Sequence, residues 1–171
     1  NVGDYEAGVT GVLLCVDVTE SVIDEALSLD ANLVVSHHPL LFHPLRQLVD
    51  ADFTQRIVRR ALLAGISLYA AHTNLDSAAG GMSFRLGKLL GLTGMRVLSP
   101  HRDGAETGFG VVGDLPEAIP VSGFLQQVKW VLRCGAIRHS ELCREQVRRV
   151  ALVTGAGASM LGDAVAAGAD I

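Results

Sequence analysis

Three short apolar runs, each closing on a polar cluster and each followed by a segment of helical periodicity, constrain the fold of this chain most strongly. Gly11 to Val16 is almost continuously apolar and closes on Asp17. Asn32 to Ser36 runs straight into His37-His38-Pro39, and Ile66 to Ala71 ends at His72-Thr73-Asn74-Leu75-Asp76. Runs of this kind read as buried strands of a parallel sheet. Between the first two, Thr19 is placed to cap a helix, and Val22, Ile23, Ala26, Leu27 and Leu29 recur at helical spacing. Ala51 to Ala64 repeats the pattern with Ile57, Val58, Ala61 and Leu62 on one face, and Gly65 serves as its C-terminal cap. A further helix is expected from Met82 to Leu90, opened by Gly80-Gly81 and ended by Gly91. Strand and helix in alternation predict an α/β fold with mainly parallel or mixed sheets. In such sheets ligands bind beyond the carboxyl ends of the strands. Both histidine clusters fall there.

The second half of the chain is expected to be a related lobe. Ser99 to Thr107 turns polar and irregular, which reads as a crossover. Gly108 to Leu115 is a Gly-rich strand, Val121 to Arg133 an amphipathic helix carrying Trp130, Arg149 to Thr154 a strand, and Ala158 to Ala167 a helix. At an offset of 138 residues, Val150, Leu152, Leu161, Ala164, Val165, Ala169 and Ile171 fall on Val12, Leu14, Ile23, Ala26, Leu27, Ala31 and Leu33. Duplication and the coincidence of two similar strand–helix units both account for the match. The expected division is a first lobe over 1–100 and a second over 101–171. Because Leu33 starts a strand, Ile171 is expected to start one too, so the second lobe reads as incomplete at its C-terminal end.

Composition removes several classes of function. With 49% hydrophobic and 19% charged residues the chain is not disordered. A net charge of −4 without a basic stripe argues against a nucleic-acid-backbone binder. The arginines at 56, 59 and 60 and at 144, 148 and 149 read as solvated faces. The longest uncharged apolar stretch, Ala61 to Ala71, is too short to cross a bilayer, and a signal sequence is not expected from the opening residues. Three cysteines without a CxxC pair fit a reducing, cytoplasmic compartment; Cys15 reads as core.

The residues capable of chemistry are few. His37 and His38 are neighbours, so strand alternation sends their imidazoles apart. One ion would hardly take both, whereas two ions about 3.5–4 Å apart could. His72 and Asp76 add an imidazole and a carboxylate at the same expected sheet edge. The bland reading is a polar strand end followed by a turn that uses Asn74 and Asp76. Asp17 either orients a histidine or caps the following helix, and the cap is slightly favoured. His43, His101 and His139 lack ligand spacing. Gly155-Ala-Gly157-Ala-Ser159 has the look of a phosphate-cradling turn, but a tight strand-to-helix turn explains it fully.

Taken in order, NVGDYEAGVTGVLLCVDVT, NLVVSHHPLLFHPL, AAHTNLDSAAGGM, GFGVVGDL and VTGAGASMLGDAVAAGAD resemble the NGG-one-interacting-factor-three-like family. Its bacterial members carry the name GTP cyclohydrolase 1 type 2 homologue. The resemblance implies two similar α/β lobes, a dinuclear metal cleft between them at strand C-terminal ends, and a homohexamer. On the matching positions it implies His37 and His38 as ligands of one ion each, Asp76 as a further ligand, and His72 as a catalytic or supporting group. The cofactors would be two divalent ions, with Zn, Fe, Mn and Ni all compatible with imidazole and carboxylate donors. A further His and Glu of the family's His-x-x-x-Glu pattern are expected after Ile171. The partners would be a small-molecule nucleotide-like substrate and other copies of the chain, with no nucleic acid and no membrane. Where the family often has Arg in its Gly-rich strand, this chain has Val111. Two functions remain open: a metal-dependent hydrolase of the GTP cyclohydrolase type, and a metal-holding scaffold or regulatory interaction partner.

Overall fold

The computed structural model describes residues 1–102 and 104–171. Contacts divide the chain into two compact units, Asn1–Thr73 and Asn74–Ile171.

The first unit is a strand–helix alternation: β1 (Val12–Cys15), α1 (Glu20–Ser28), β2 (Leu33–Ser36), α2 (Phe53–Leu63) and β3 (Ser67–Ala70). The strands pair in parallel in the order β1-β2-β3, with Cys15 opposite Ser36 and Ser36 opposite Ala70. Parallel neighbours require a crossover, and α1 and α2 supply it. Thr19 caps α1 by accepting from the Val22 N–H, as its position predicts. Asp52 does the same for α2 through the Gln55 N–H, and Gly65, at φ 66°, follows the C-cap residue Ala64. The apolar stripes of both helices, Ile23 and Ala26 with Ile57 and Ala61, bury against Val34 and Leu68 of the sheet. Arg56 and Arg60 bind Glu20 and Asp24 across the two helices, at 3.1 and 2.6 Å.

One expectation changes here. β1 was expected to be buried on both sides, yet Val12, Leu14 and Val16 are exposed. Leu13 and Cys15 take the helix-covered face, so the alternating residues of this edge strand face away from it. On the central and far strands the N-terminal segment covers part of that outer face. It lines a cavity of about 270 Å³ with Tyr5, Val9, Leu33, Val35 and Tyr69, and none of the histidines borders it.

The second unit contains α4 (Met82–Leu89), β4 (Thr93–His101), β5 (Gly104–Pro120), α5 (Val121–Val131), β6 (Gln146–Leu152), a 3-10 turn (Ala158–Met160) and α6 (Leu161–Ala166). A single-turn helix, α3 (Thr73–Asp76), carries the chain from the first unit into it. Its sheet, in the order β4-β5-β6, is antiparallel throughout. Of the two expected arrangements, mainly parallel or mixed, the chain takes the mixed one, with a parallel first sheet and an antiparallel second. β4 and β5 follow one another without an intervening helix, and such neighbours pair antiparallel. The expected irregular crossover over 99–107 is likewise replaced. Its described residues 99–101 and 104–107 belong to the ends of β4 and β5, and residue 103 lies outside the described residues. Leu90, Leu92, Leu115, Val121, Phe124, Val147 and Val150 form the core.

The two halves of the sequence repeat share one local feature. In the first unit the chain returns from α1 to pair with β1. In the second, after α6, the Asp170 N–H donates to Arg149 O at 2.8 Å and Ile171 O accepts from the Ala151 N–H at 3.0 Å, along β6.

Candidate metal centre

In a parallel three-stranded sheet all strand ends on one edge are carboxyl ends, and the register decides which side chains meet there. β1 and β2 pair at a constant separation of 21 residues, and β2 and β3 at 34. Carried past the last paired residues, the same register sets Asp17 beside His38 and His37 beside Ala71. The backbone follows it: His37 N–H donates to Cys15 O, His38 N–H to Val16 O, and Ala71 N–H to Ser36 O.

Three imidazoles gather at this edge. Ring centroids lie 5.1 Å apart for His37 and His38, 5.3 Å for His37 and His72, and 6.0 Å for His38 and His72. Strand alternation was expected to send His37 and His38 to opposite faces. The strand ends at Ser36, so alternation no longer governs the pair and the rings stay close. What does diverge is their anchoring. His37 Nδ1 lies 3.0 Å from Ala71 O, on the β3 side, and His38 Nδ1 lies 2.8 Å from Asp17 Oδ1, on the β1 side.

Both anchors are oxygen acceptors, so Nδ1 of each neutral ring carries the proton and Nε2 keeps its lone pair. Metal-binding histidines are commonly held this way, with one ring nitrogen donating to a carbonyl or carboxylate and the other free to coordinate. Asp76, one helical turn after His72 on α3, brings the carboxylate. One ligand atom each from His37, His72 and Asp76 all lie within 4.8 Å of one another, and the three residues are half-buried. Two imidazoles and a carboxylate at this separation fit a divalent cation of the Zn, Fe, Mn or Ni type.

Among the predicted site residues, His37, His72 and Asp76 are thus brought together. His38 stands beside them, exposed, outside the three-residue cluster. Asp17, slightly favoured as a helix cap, meets His38 instead, because Thr19 already fills the cap. Its negative charge adds to burial in pushing the Cys15 thiol above its ordinary pKa, burial being the larger cause. An open depression of about 440 Å³ beside this edge is lined by Asp17, Thr19, His38, Leu40, Phe53 and Thr54. The remaining histidines are exposed: His43 against Phe42, His101 against Phe109, and His139 with Nδ1 on Ser140 O. Val111 is fully buried in β5, so that position packs the core and offers no anion contact. The segment after Gly157 forms only a 3-10 turn and the six-residue α6. Among the described residues no helix is long and apolar enough to cross a membrane.

The fold and this edge together define a mixed α/β protein with a candidate divalent-metal site of histidine and aspartate. The chain belongs to the Duf34/NIF3 (NGG1p interacting factor 3) family, whose model matches residues 1–171. It is 34% identical over 170 residues to the GTP cyclohydrolase 1 type 2 homolog of Clostridium perfringens, covering 99% of this chain and 65% of that protein. The protein of the same name from Lactococcus lactis is 32% identical over 173 residues, again covering 99% of this chain and 65% of the relative. The chain thus spans a little under two thirds of these relatives' length. The crystal structure of a Bacillus cereus protein related to NIF3 superposes with a TM-score of 0.87 at 24% identity, over 99% of this chain and 73% of that one. That likeness establishes the fold.

Proposed function

We propose that this chain supplies part of a dinuclear divalent-metal centre in a hydrolase acting on a nucleotide-like substrate, of the kind named in its GTP cyclohydrolase 1 type 2 homolog relatives. The convergence of His37, His72 and Asp76 within 4.8 Å carries the reading. In it these three residues hold one ion. His38, with its Nε2 unprotonated, serves the second. A bound divalent ion supplies Lewis acidity and makes water a usable nucleophile near neutral pH. The chain's own contributions are to fix the ring tautomers through Ala71 O and Asp17, and to keep the site half-sheltered from solvent. The depression beside His38, with Phe53 on its wall, is placed to receive an organic group. His72, expected as a catalytic group, is assigned here first as a ligand, since its ligand atom lies inside the cluster. The hexameric assembly that the resemblance implies is part of the same proposal.

The second reading is a metal-holding scaffold that binds a regulatory protein, and the family's description as an interacting factor favours it. Turnover separates the two. Protein loaded with Mn(II), Fe(II) or Zn(II) is incubated with GTP, and the hydrolysed, ring-opened product is sought by chromatography. Metal-dependent product, lost on chelation, supports the hydrolase. A fully loaded but inactive protein supports the scaffold.

A further inference from the structure

We infer that Asp17 is a positioning residue for His38, locking its imidazole as the Nδ1–H tautomer and so presenting a bare Nε2 as a ligand atom. Three hydrogen bonds hold His38. Its N–H donates to Val16 O at 2.9 Å. Its carbonyl accepts from the Oγ of Ser36, a side chain only 3% exposed, at 2.8 Å. Its Nδ1 donates to Asp17 Oδ1 at 2.8 Å. The first two fix the backbone and leave the ring free to turn about its side-chain bonds. Among the described residues Asp17 makes the hydrogen bond to the ring, which otherwise packs only beside the His37 and His72 rings.

Among the described residues His38 is the hydrogen-bond partner of the Asp17 carboxylate, whose charge also bears on Cys15. Thr19 caps α1, and among the described residues the ion pair recorded for Asp17 is the one with His38. The pair is also poorly placed to serve the fold. The two side chains are 51% and 66% exposed, and exposed ion pairs contribute little to stability. A carboxylate held in register with a histidine, at an edge where two other imidazoles gather, is instead what a ligand histidine requires. The ligand half of this inference rests on the metal reading given above. The tautomer half does not.

The test uses protein labelled with ¹⁵N-histidine. In the metal-free protein, long-range ¹H–¹⁵N correlation should show His38 protonated at Nδ1 and bare at Nε2. Asp17→Asn keeps an oxygen acceptor and should keep that tautomer; Asp17→Ala should revert to the mixture of a free histidine. Zn(II) titration should then show Asp17→Ala binding more weakly by about 10- to 100-fold, with Asp17→Asn restoring most of the affinity. The loss should vanish in a His38→Ala background, because Asp17 acts through that ring. An unchanged tautomer in Asp17→Ala overturns the inference, as does a loss that persists without His38, which would make Asp17 a direct ligand. If the parent protein binds no metal, the metal reading fails, and the tautomer result still decides the role of Asp17.

Discussion

Replacing Gly81 with Ala tests whether the position of Asp76 depends on the turn behind it. Gly81 precedes α4 at φ −62° and ψ −165°, a conformation in which a side chain is not disfavoured by a positive φ. The obstacle is steric. A Cβ there would stand 2.5 Å from Leu75 O and 2.9 Å from both Asp76 O and Ala78 O. These are backbone atoms, and they cannot swing aside as a flexible side chain can. Ordinary contact begins at 3.4 Å, so the segment carrying Asp76 must retreat by about 0.9 Å at its nearest atom. Overpacking of this kind costs about 1–3 kcal/mol. A shift of that size also exceeds the roughly 0.5 Å within which a site constellation must be held. Gly81→Ala should therefore lower the melting temperature and weaken Zn(II) binding by at least about tenfold, read by thermal denaturation and calorimetric titration. Gly123→Ala is the control. It lies in α5 with nothing within 4 Å of the added Cβ, and should stabilise by up to about 1 kcal/mol without touching metal affinity. A Gly81→Ala protein that melts and binds metal like the parent would show that the position of Asp76 does not depend on this turn.

The folded core and the acid limb of stability give two further expectations. Ile57 is fully buried between α2 and the first sheet, so Ile57→Ala should cost about 2–5 kcal/mol in chemical denaturation, and a loss below 1 kcal/mol would mean the site collapses around the vacancy. Asp170 accepts from the Arg149 and Arg148 N–H groups at 2.9 and 3.0 Å, and these bonds hold its carboxyl below the ordinary pKa. A group depressed in the folded state stabilises above its unfolded value, near about 4, and that contribution fades as pH falls through the lower folded value. Asp170→Asn should accordingly flatten the loss of stability below about pH 4, measured by urea denaturation across pH.

Much of the first unit was legible because its signals are local. The apolar runs and the helical stripes at Ile23–Ala26 and Ile57–Ala61 identify the elements. The Thr19 cap and Gly65 fix ends that the structure places within a residue or two. The candidate site was legible as a list of residues, since His37, His38, His72 and Asp76 all follow strand ends. Its internal geometry was not. Whether His38 meets Asp17 depends on the 21-residue register between β1 and β2, and register is a property of paired strands that a single run does not display. Strand alternation predicts diverging imidazoles only while the strand continues, and it stops at Ser36, before both of them. In the second unit, Ser99 to Thr107 is polar and looks like a crossover, although its described residues extend β4 and β5. Pairing with β5 gives these residues a ladder that their composition alone would not predict.

His37, His72 and Asp76 are assigned here to one divalent ion. Metal content per chain, measured by mass spectrometry after exposure to Zn(II), Fe(II) or Mn(II) and removal of free ion, tests it most directly. The parent should retain metal, and each of His37→Ala, His72→Ala and Asp76→Ala should lose it while staying folded by circular dichroism. A parent that retains no metal, or folded variants that retain as much as the parent, would contradict it.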